Sequence, residues 1–488
     1  MTILHASKTA EETPMLESSE KDQNSPSAMS NPEKALYNEN GISGKMTYIN
    51  FIRGMVGPGC FSIPLSLKFA GFGTGITLLC IIGYVATLNM GKLVRTSQYL
   101  TVITGSKALN YGNMVGKAFE QGPRSLRKHS SKAKFLVNSC LCALQLGVCA
   151  VGYIFTTEHL KDVLDVLLTP NSSILTQAVT NQARSPGFSM PLLILQMSIP
   201  FSLLVSIRSF KILSYVSLFG NVLMLAALAI IFQVFLLSVT NFTIFPFRGL
   251  LRTSPTFESL PNFTSFSGLI LATGSILYAY EGHAVVLPLE NQLRDRRQMN
   301  GLLGVLSLGM STTTFIYAFC GITGYRVYGS SVRGSITLNM PDTSLYFFVK
   351  ILLTIVIFTG FLIQHFVLLD MYFPEMKAMM KKRKWSDSRI LLVEYANRYA
   401  IVLFTMILSL LVPNLAAIIP LVGASCGMLL AMIIPPIIET VAFYPRWLSD
   451  GHGVGTTSRL IINASIATFG LIFMILGVKS NLDTPMVH

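Results

Sequence analysis

Two interruptions of long apolar stretches hold the residues with the most chemistry to offer. The first reads Gly54-Met55-Val56-Gly57-Pro58-Gly59 and the second Tyr278-Ala279-Tyr280-Glu281-Gly282-His283. A proline follows each at equal spacing, Pro64 after Gly57 and Pro288 after Glu281. Unwound backbone at membrane depth frees N–H and C=O groups that only surrounding protein or a wet cavity can satisfy. One such break reads as a kink in a tightly packed helix. Two, in corresponding positions of two halves, point to a transporter's substrate site.

Within the first break, the main chain of Val56, Gly57, Pro58 and Gly59 suits a substrate carboxylate. A half-helix that starts there aims its N–H groups and positive dipole end at the break. Gly54, Gly57 and Gly59 permit close approach, while Pro58 has no N–H to give. In the second break Glu281 is an acid near mid-membrane, where a charge needs a partner or a cavity. Three roles stay open for it: binding a substrate ammonium, carrying a proton, or holding the freed N–H groups of its own span. His283 titrates in the range that suits a proton relay, although a buried histidine also serves as a packing residue. Tyr278, Tyr280 and Gly282 complete the candidate pocket, the tyrosines as caps or as core filler.

Elements of membrane length must position these residues. The chain has 488 residues, 51% hydrophobic and only 12% charged, about half the charge of a soluble protein. The reading is an all-α polytopic membrane protein of about eleven transmembrane helices, near residues 46–69, 72–97, 134–160, 190–207, 212–238, 265–290, 301–328, 343–373, 390–412, 415–440 and 459–479. Each meets the ~20 residues a crossing needs. The breaks fall in spans 1 and 6, which implies five spans, five more inverted, and one extra. Residues 1–44, with seven acidic against three basic residues and no apolar run, read as a disordered tail. Residues 45–480 form the transmembrane domain, and 481–488 a short tail. No cleavable leader is expected.

The net charge of +14 is loop charge and does not point to nucleic acid. The 98–133, 291–300 and 374–389 connections are rich in Lys and Arg and fall on one side, which places that side and the N-terminus in the cytoplasm. The sequons at Asn171, Asn241 and Asn262 fall on the other side as glycosylation candidates. All seven cysteines lie in apolar stretches, so no disulfide framework is expected. Tyr111-Gly-Asn-Met114 has the form of a tyrosine sorting signal. Arg53, Lys68, Glu290, Asp370, Glu439 and the i,i+4 pair Glu394 and Arg398 read as gate or interface charges. His365 is a minor relay candidate.

The stretch Asn50-Phe-Ile-Arg-Gly-Met-Val-Gly-Pro-Gly-Cys-Phe-Ser-Ile-Pro64, with Lys68 and Ala70-Gly71, resembles the first span of the amino acid/auxin permease family, and most of all its proton-coupled amino acid transporter branch. Tyr280-Glu-Gly-His-Ala-Val-Val-Leu-Pro-Leu-Glu-Asn291 is similar to that branch's sixth span. Gly334-Ser-Ile-Thr-Leu-Asn-Met-Pro341, Val349–Leu352 and Ile433–Glu439 also match, so the resemblance covers about residues 45–478. It implies a leucine-transporter-type fold, small neutral amino acid substrates, frequent coupling to H+, and a plasma or lysosomal membrane. The chain departs from the pattern in three ways. Asn50 stands where the branch has a histidine tied to proton coupling, Pro58 replaces a threonine, and the paired extracellular cysteines are missing.

The expected function is secondary active transport of small neutral amino acids by alternating access, with protons as the possible coupling ion and Glu281, His283 and Asn50 as coupling candidates. Proton-independent exchange, and sensing with little transport through the tail and the basic 98–133 loop, are the alternatives. An enzyme is not expected: the chain has no nucleotide loop, no metal-ligand cluster and no nucleophile–base spacing. No cofactor follows, and protein partners are open.

Overall fold

The computed structural model describes residues 36–39, 41–106, 109–167, 189–208, 219–220, 222–233, 260–340, 344–449 and 454–483. Among them the chain is almost wholly helical, with two isolated β-bridges. In chain order the helices used below are α1 (Gly44–Met55), α2 (Pro58–Ala70), α3 (Phe72–Thr104), α4 (Tyr111–Gln121), α5 (Ser130–Leu167), α6 (Met190–Val205) and α7 (Val222–Gln233). They continue with α8 (Phe266–Ala279), α9 (His283–Gln292), α10 (Val305–Tyr328), α11 (Ser344–Lys382), α12 (Asp387–Leu411), α13 (Leu415–Val422), α14 (Ile434–Ser449) and α15 (Val454–Asp483).

Eight helical stretches are long and apolar enough to cross a membrane. With the shorter apolar helices α6 and α7 and the α1/α2 pair they make eleven, in the order read from the sequence. Caps mark the starts of the broken spans. Ser43 Oγ accepts from Met46 N (3.4 Å) at α1, and Ser265 Oγ accepts from Gly268 N (3.0 Å) at α8, each relieving an orphan donor of the first turn. Pro58 opens α2 at its first position, where a missing N–H costs nothing.

The stretch Phe266–Gln292, which contains α8 and α9, is 78% buried over its most apolar part, and Leu415–Ser449 is 72% buried; α15 is only 17% buried. Spans 6 and 10 are therefore inner elements, and the last helix is peripheral. α8 packs on α2, α13 and α15; α2 also packs on α10. Between α13 and α14 the helix widens into two π turns, Gly423–Gly427 and Leu429–Ile433. This third interruption was not read from the sequence, because no break in the apolar run marks it.

At the basic end, residues 36–39 and 41–43 run along the chain after α9. Asn38 N donates to Arg294 O and Ile42 N to Gln292 O, both at 2.8 Å. The docked part of the chain thus begins before Gly44; residues 1–35 lie outside the described residues. The 98–133 connection is more than a loop. It holds α4, in which Tyr111 is 4% exposed and Met114 fully buried, so no adaptor can read Tyr111–Met114 as a sorting signal. Asn262 lies exposed beside the α2–α3 turn, where Thr74 N donates to its carbonyl (3.0 Å). Asn171 and Asn241 lie outside the described residues.

Candidate functional site

The two breaks meet. α1 ends at Met55, and the chain passes through Val56 and Gly57 in extended conformation before α2 begins at Pro58. α8 ends at Ala279, and Tyr280, Glu281 and Gly282 lead into α9. A Cβ on Gly59 would lie 2.7 Å from Ala279 Cα, and one on Gly282 would lie 2.5 Å from Met55 Sδ. Each glycine makes room for the other break. Gly57 differs: a Cβ there would meet nothing within 4 Å, so the chain opens onto space at that residue. Gly54 is on the exposed side of α1, beside Val285.

The donors at the first break can be counted. Val56 N–H is spent on Ile52 O (2.9 Å) and Cys60 N–H on Gly57 O (3.0 Å), and Pro58 has none. The N–H groups of Gly57 and Gly59 remain, at the positive end of α2. The carbonyls that the breaks set free meet one side chain. Tyr317, on α10, is fully buried, and its hydroxyl lies 2.7 Å from Met55 O and 2.7 Å from Ala279 O. One O–H proton serves the last carbonyl of α1 and the last carbonyl of α8, which would otherwise be dry. The sequence reading missed Tyr317, whose partners lie 262 and 38 residues away along the chain.

The second break brings acid and base together. Glu281 Oε1 lies 3.9 Å from His283 Nδ1, with the glutamate side chain 8% and the histidine 0% exposed. Among the described residues, no side chain hydrogen-bonds to either carboxylate oxygen or either ring nitrogen, and the His283 backbone N–H faces the Glu281 carboxylate. Native proteins rarely leave such groups unmatched, and each orphan asks for a ligand or a proton. Glu281 turns toward the first π turn: its Oε2 would lie 3.8 Å from a Cβ on Gly427. Carbonyls in the second π turn are capped from outside, Leu430 O by Tyr111 Oη (2.9 Å) and Ala431 O by Asn89 Nδ2 (2.8 Å). In the run Gly423-Ala-Ser-Cys-Gly427, two glycines flank three small side chains.

The other candidates fall in several places. Tyr280 is fully buried and bonds Thr314 Oγ1 (2.9 Å) beside Gly83, which anchors it to α10 and α3. Tyr278 is buried, and its main chain lies against Gly423. Asn50 is half-buried on α1, about 7 Å along the axis from Met55. His365 Nε2 pairs with Arg398 O (3.0 Å), joining α11 to α12.

The charges at span ends are paired away from the breaks. Glu290 takes two bonds of 2.8 Å from Arg296 and one of 3.3 Å from Ser97, a buried latch that ties α9 to α3. In the connection after α9, Arg297 hydrogen-bonds to Asp295 and holds that carboxyl below its ordinary range. Glu394 pairs with Arg398 (3.1 Å) as its spacing suggests and also with Arg208 (2.9 Å). Glu439 pairs with Arg95 (3.0 Å), and Lys68 Nζ donates to Val332 O (3.1 Å).

The family model described as "Transmembrane amino acid transporter protein" matches residues 40–480. The probable amino acid transporter skat-1 of Caenorhabditis elegans is 27% identical over 448 residues, covering 90% of each chain. The proton-coupled amino acid transporter-like protein pathetic of Drosophila melanogaster is 28% identical over 436 residues, covering 89% of this chain and 83% of its own.

Proposed function

Because this chain belongs to the transmembrane amino acid transporter family, we propose that it is a multi-pass secondary transporter of small neutral amino acids, driven by protons and working by alternating access. One observation carries the proposal: a buried carboxylate with no side-chain hydrogen bond among the described residues, Glu281, stands at a break that touches a second break with free backbone donors. In this reading the substrate carboxylate takes the N–H groups of Gly57 and Gly59, and open space at Gly57 admits a small side chain. Glu281 holds the coupling proton, and His283, 3.9 Å away, is its exchange partner. An uncompensated charge at this depth is costly, so Glu281 favours a proton or a cation over staying empty and ionised. That penalty links proton loading to substrate loading. The Arg296–Glu290 latch closes the basic end, and its release opens the site to that side. The relative from Drosophila melanogaster, whose name includes proton coupling, supports the choice of ion. A cytoplasmic N-terminus fits the loop charge, and the family resemblance points to a plasma or lysosomal membrane.

A second reading is favoured by Asn50, which cannot titrate: exchange without protons, with Glu281 binding the substrate ammonium directly. Reconstituted chain in proteoliposomes separates the two. A pH gradient should drive glycine, L-alanine or L-proline above equilibrium, and a protonophore should collapse it. Equal uptake with and without the gradient supports the exchanger, and no movement of any amino acid defeats both.

A further inference from the structure

The end opposite the basic face contains a cavity of about 260 Å³, lined by Asp162, Ser331, Arg333, Asn339, Met340 and Lys350 among others. Asp162 lies near the far end of α5, and Lys350 on α11 places its Nζ 3.0 Å from Asp162 Oδ2. Lys350 is 2% exposed, so a full cation lies inside the protein at the cavity wall. Arg333 is exposed, on the loop between α10 and α11.

That loop is the Gly334–Pro341 motif, to which the breaks assign no role. Its shape is fixed from within. Asn339 Nδ2 donates to Ser331 O and Asn339 Oδ1 accepts from Arg333 N, both at 2.8 Å. A Cβ on Gly334 would lie 2.8 Å from Ala416 N, so the loop is pressed onto the start of α13. Beneath, Thr337 Oγ1 lies 2.6 Å from His159 Nε2, and the His159 ring stacks on Phe155 at 3.9 Å. Phe155 in turn lies 6.4 Å from Phe61, two residues past Gly59. From Asp162 to Phe155 is about 10 Å of helix. The cavity therefore stands above the first break, with a seal of side chains between.

Among the described residues, two cations and one anion line this space. A carboxylate matches a guanidinium in planar, two-bonded geometry. Asp162 Oδ2 already meets Lys350 Nζ at 3.0 Å, and a carboxylate accepts from several donors at once, so it can be shared with an ammonium. The volume is below the ~300–1,000 Å³ of sites for drug-sized ligands, which suits a small molecule carrying both charges. We propose that this cavity is a second, outer binding site for a zwitterionic α-amino acid, with Arg333 holding the carboxylate and Asp162 the ammonium. It rests on the transport reading above and places a loading station ahead of the breaks.

Arg333→Gln in the full chain is the test, because an exposed side chain can change without disturbing the packed loop. With L-alanine as the probe, KM for uptake should rise about tenfold or more with Vmax retained, the scale of losing a charge-assisted hydrogen bond. Binding of tritiated L-alanine should fall from two per chain to one. Arg333→Lys should recover part of both. L-Alaninamide, which lacks the carboxylate, should compete equally well against either form. Normal uptake with unchanged KM and unchanged stoichiometry in Arg333→Gln overturns the outer site alone. No uptake of L-alanine, glycine or L-proline by the unaltered chain overturns the transport reading and this site with it.

Discussion

Gly57 and Gly282 each precede the second half-helix of a broken span, and their surroundings differ. At Gly57 an added Cβ would find open space; at Gly282 it would run into Met55 and Met90. The first break offers bare main chain and room. The second is packed and offers an acid and a base, both buried and, among the described residues, both without a side-chain hydrogen bond. The difference suggests a division of labour: one interruption grips what every amino acid shares, and the other handles charge. In the proposed mechanism, substrate grip and coupling reside in different halves of the chain and can be disturbed separately.

The largest effect is expected at the second break. Glu281→Gln should remove accumulation driven by a pH gradient, with the initial rate of L-alanine uptake falling about 100-fold, the scale of a lost charged hydrogen bond at its upper range. Gradient-driven accumulation at the native level would break the assignment of charge handling to that side. Tyr317→Phe comes next, since it strips the shared donor from Met55 O and Ala279 O. Each carbonyl left dry costs about 1–3 kcal/mol, so uptake should drop at least tenfold and the purified protein should melt earlier. Unaltered melting would mean that the breaks do not need this bridge.

Two alanine substitutions sharpen the contrast inside the first break. Gly59→Ala forces a Cβ against the main chain of Ala279, an overpacking that costs about 1–3 kcal/mol, read as a lower melting temperature of the solubilised chain. Gly57→Ala should leave that temperature nearly unchanged, because its backbone is extended and accepts any residue. It should instead raise KM, more for L-proline than for glycine. The same melting loss at both positions would erase the distinction between packing and site glycines.

Much of this arrangement was legible in the residue order. Gly and Pro inside apolar runs locate both breaks, because few other residues tolerate an unwound span, and an acid at mid-membrane singles out Glu281. The eleven spans follow from length and hydropathy. Tyr317 was illegible: nothing around it in sequence distinguishes it from core filler, and its task depends on two carbonyls from distant segments. The same holds for Asn89 and Tyr111, which cap π-turn carbonyls in span 10. The α4 helix was hidden because its polar face reads as loop while its buried face packs on α5. Loop charge held no hint that residues 36–39 and 41–43 dock along the chain after α9.

Reciprocal contact between the breaks has a genetic consequence. The atom that obstructs a side chain at position 59 is the α-carbon of Ala279, and every amino acid has one. No replacement at 279 can therefore clear the way, and second-site revertants of Gly59→Ala should map to residues that let one helix slide past the other.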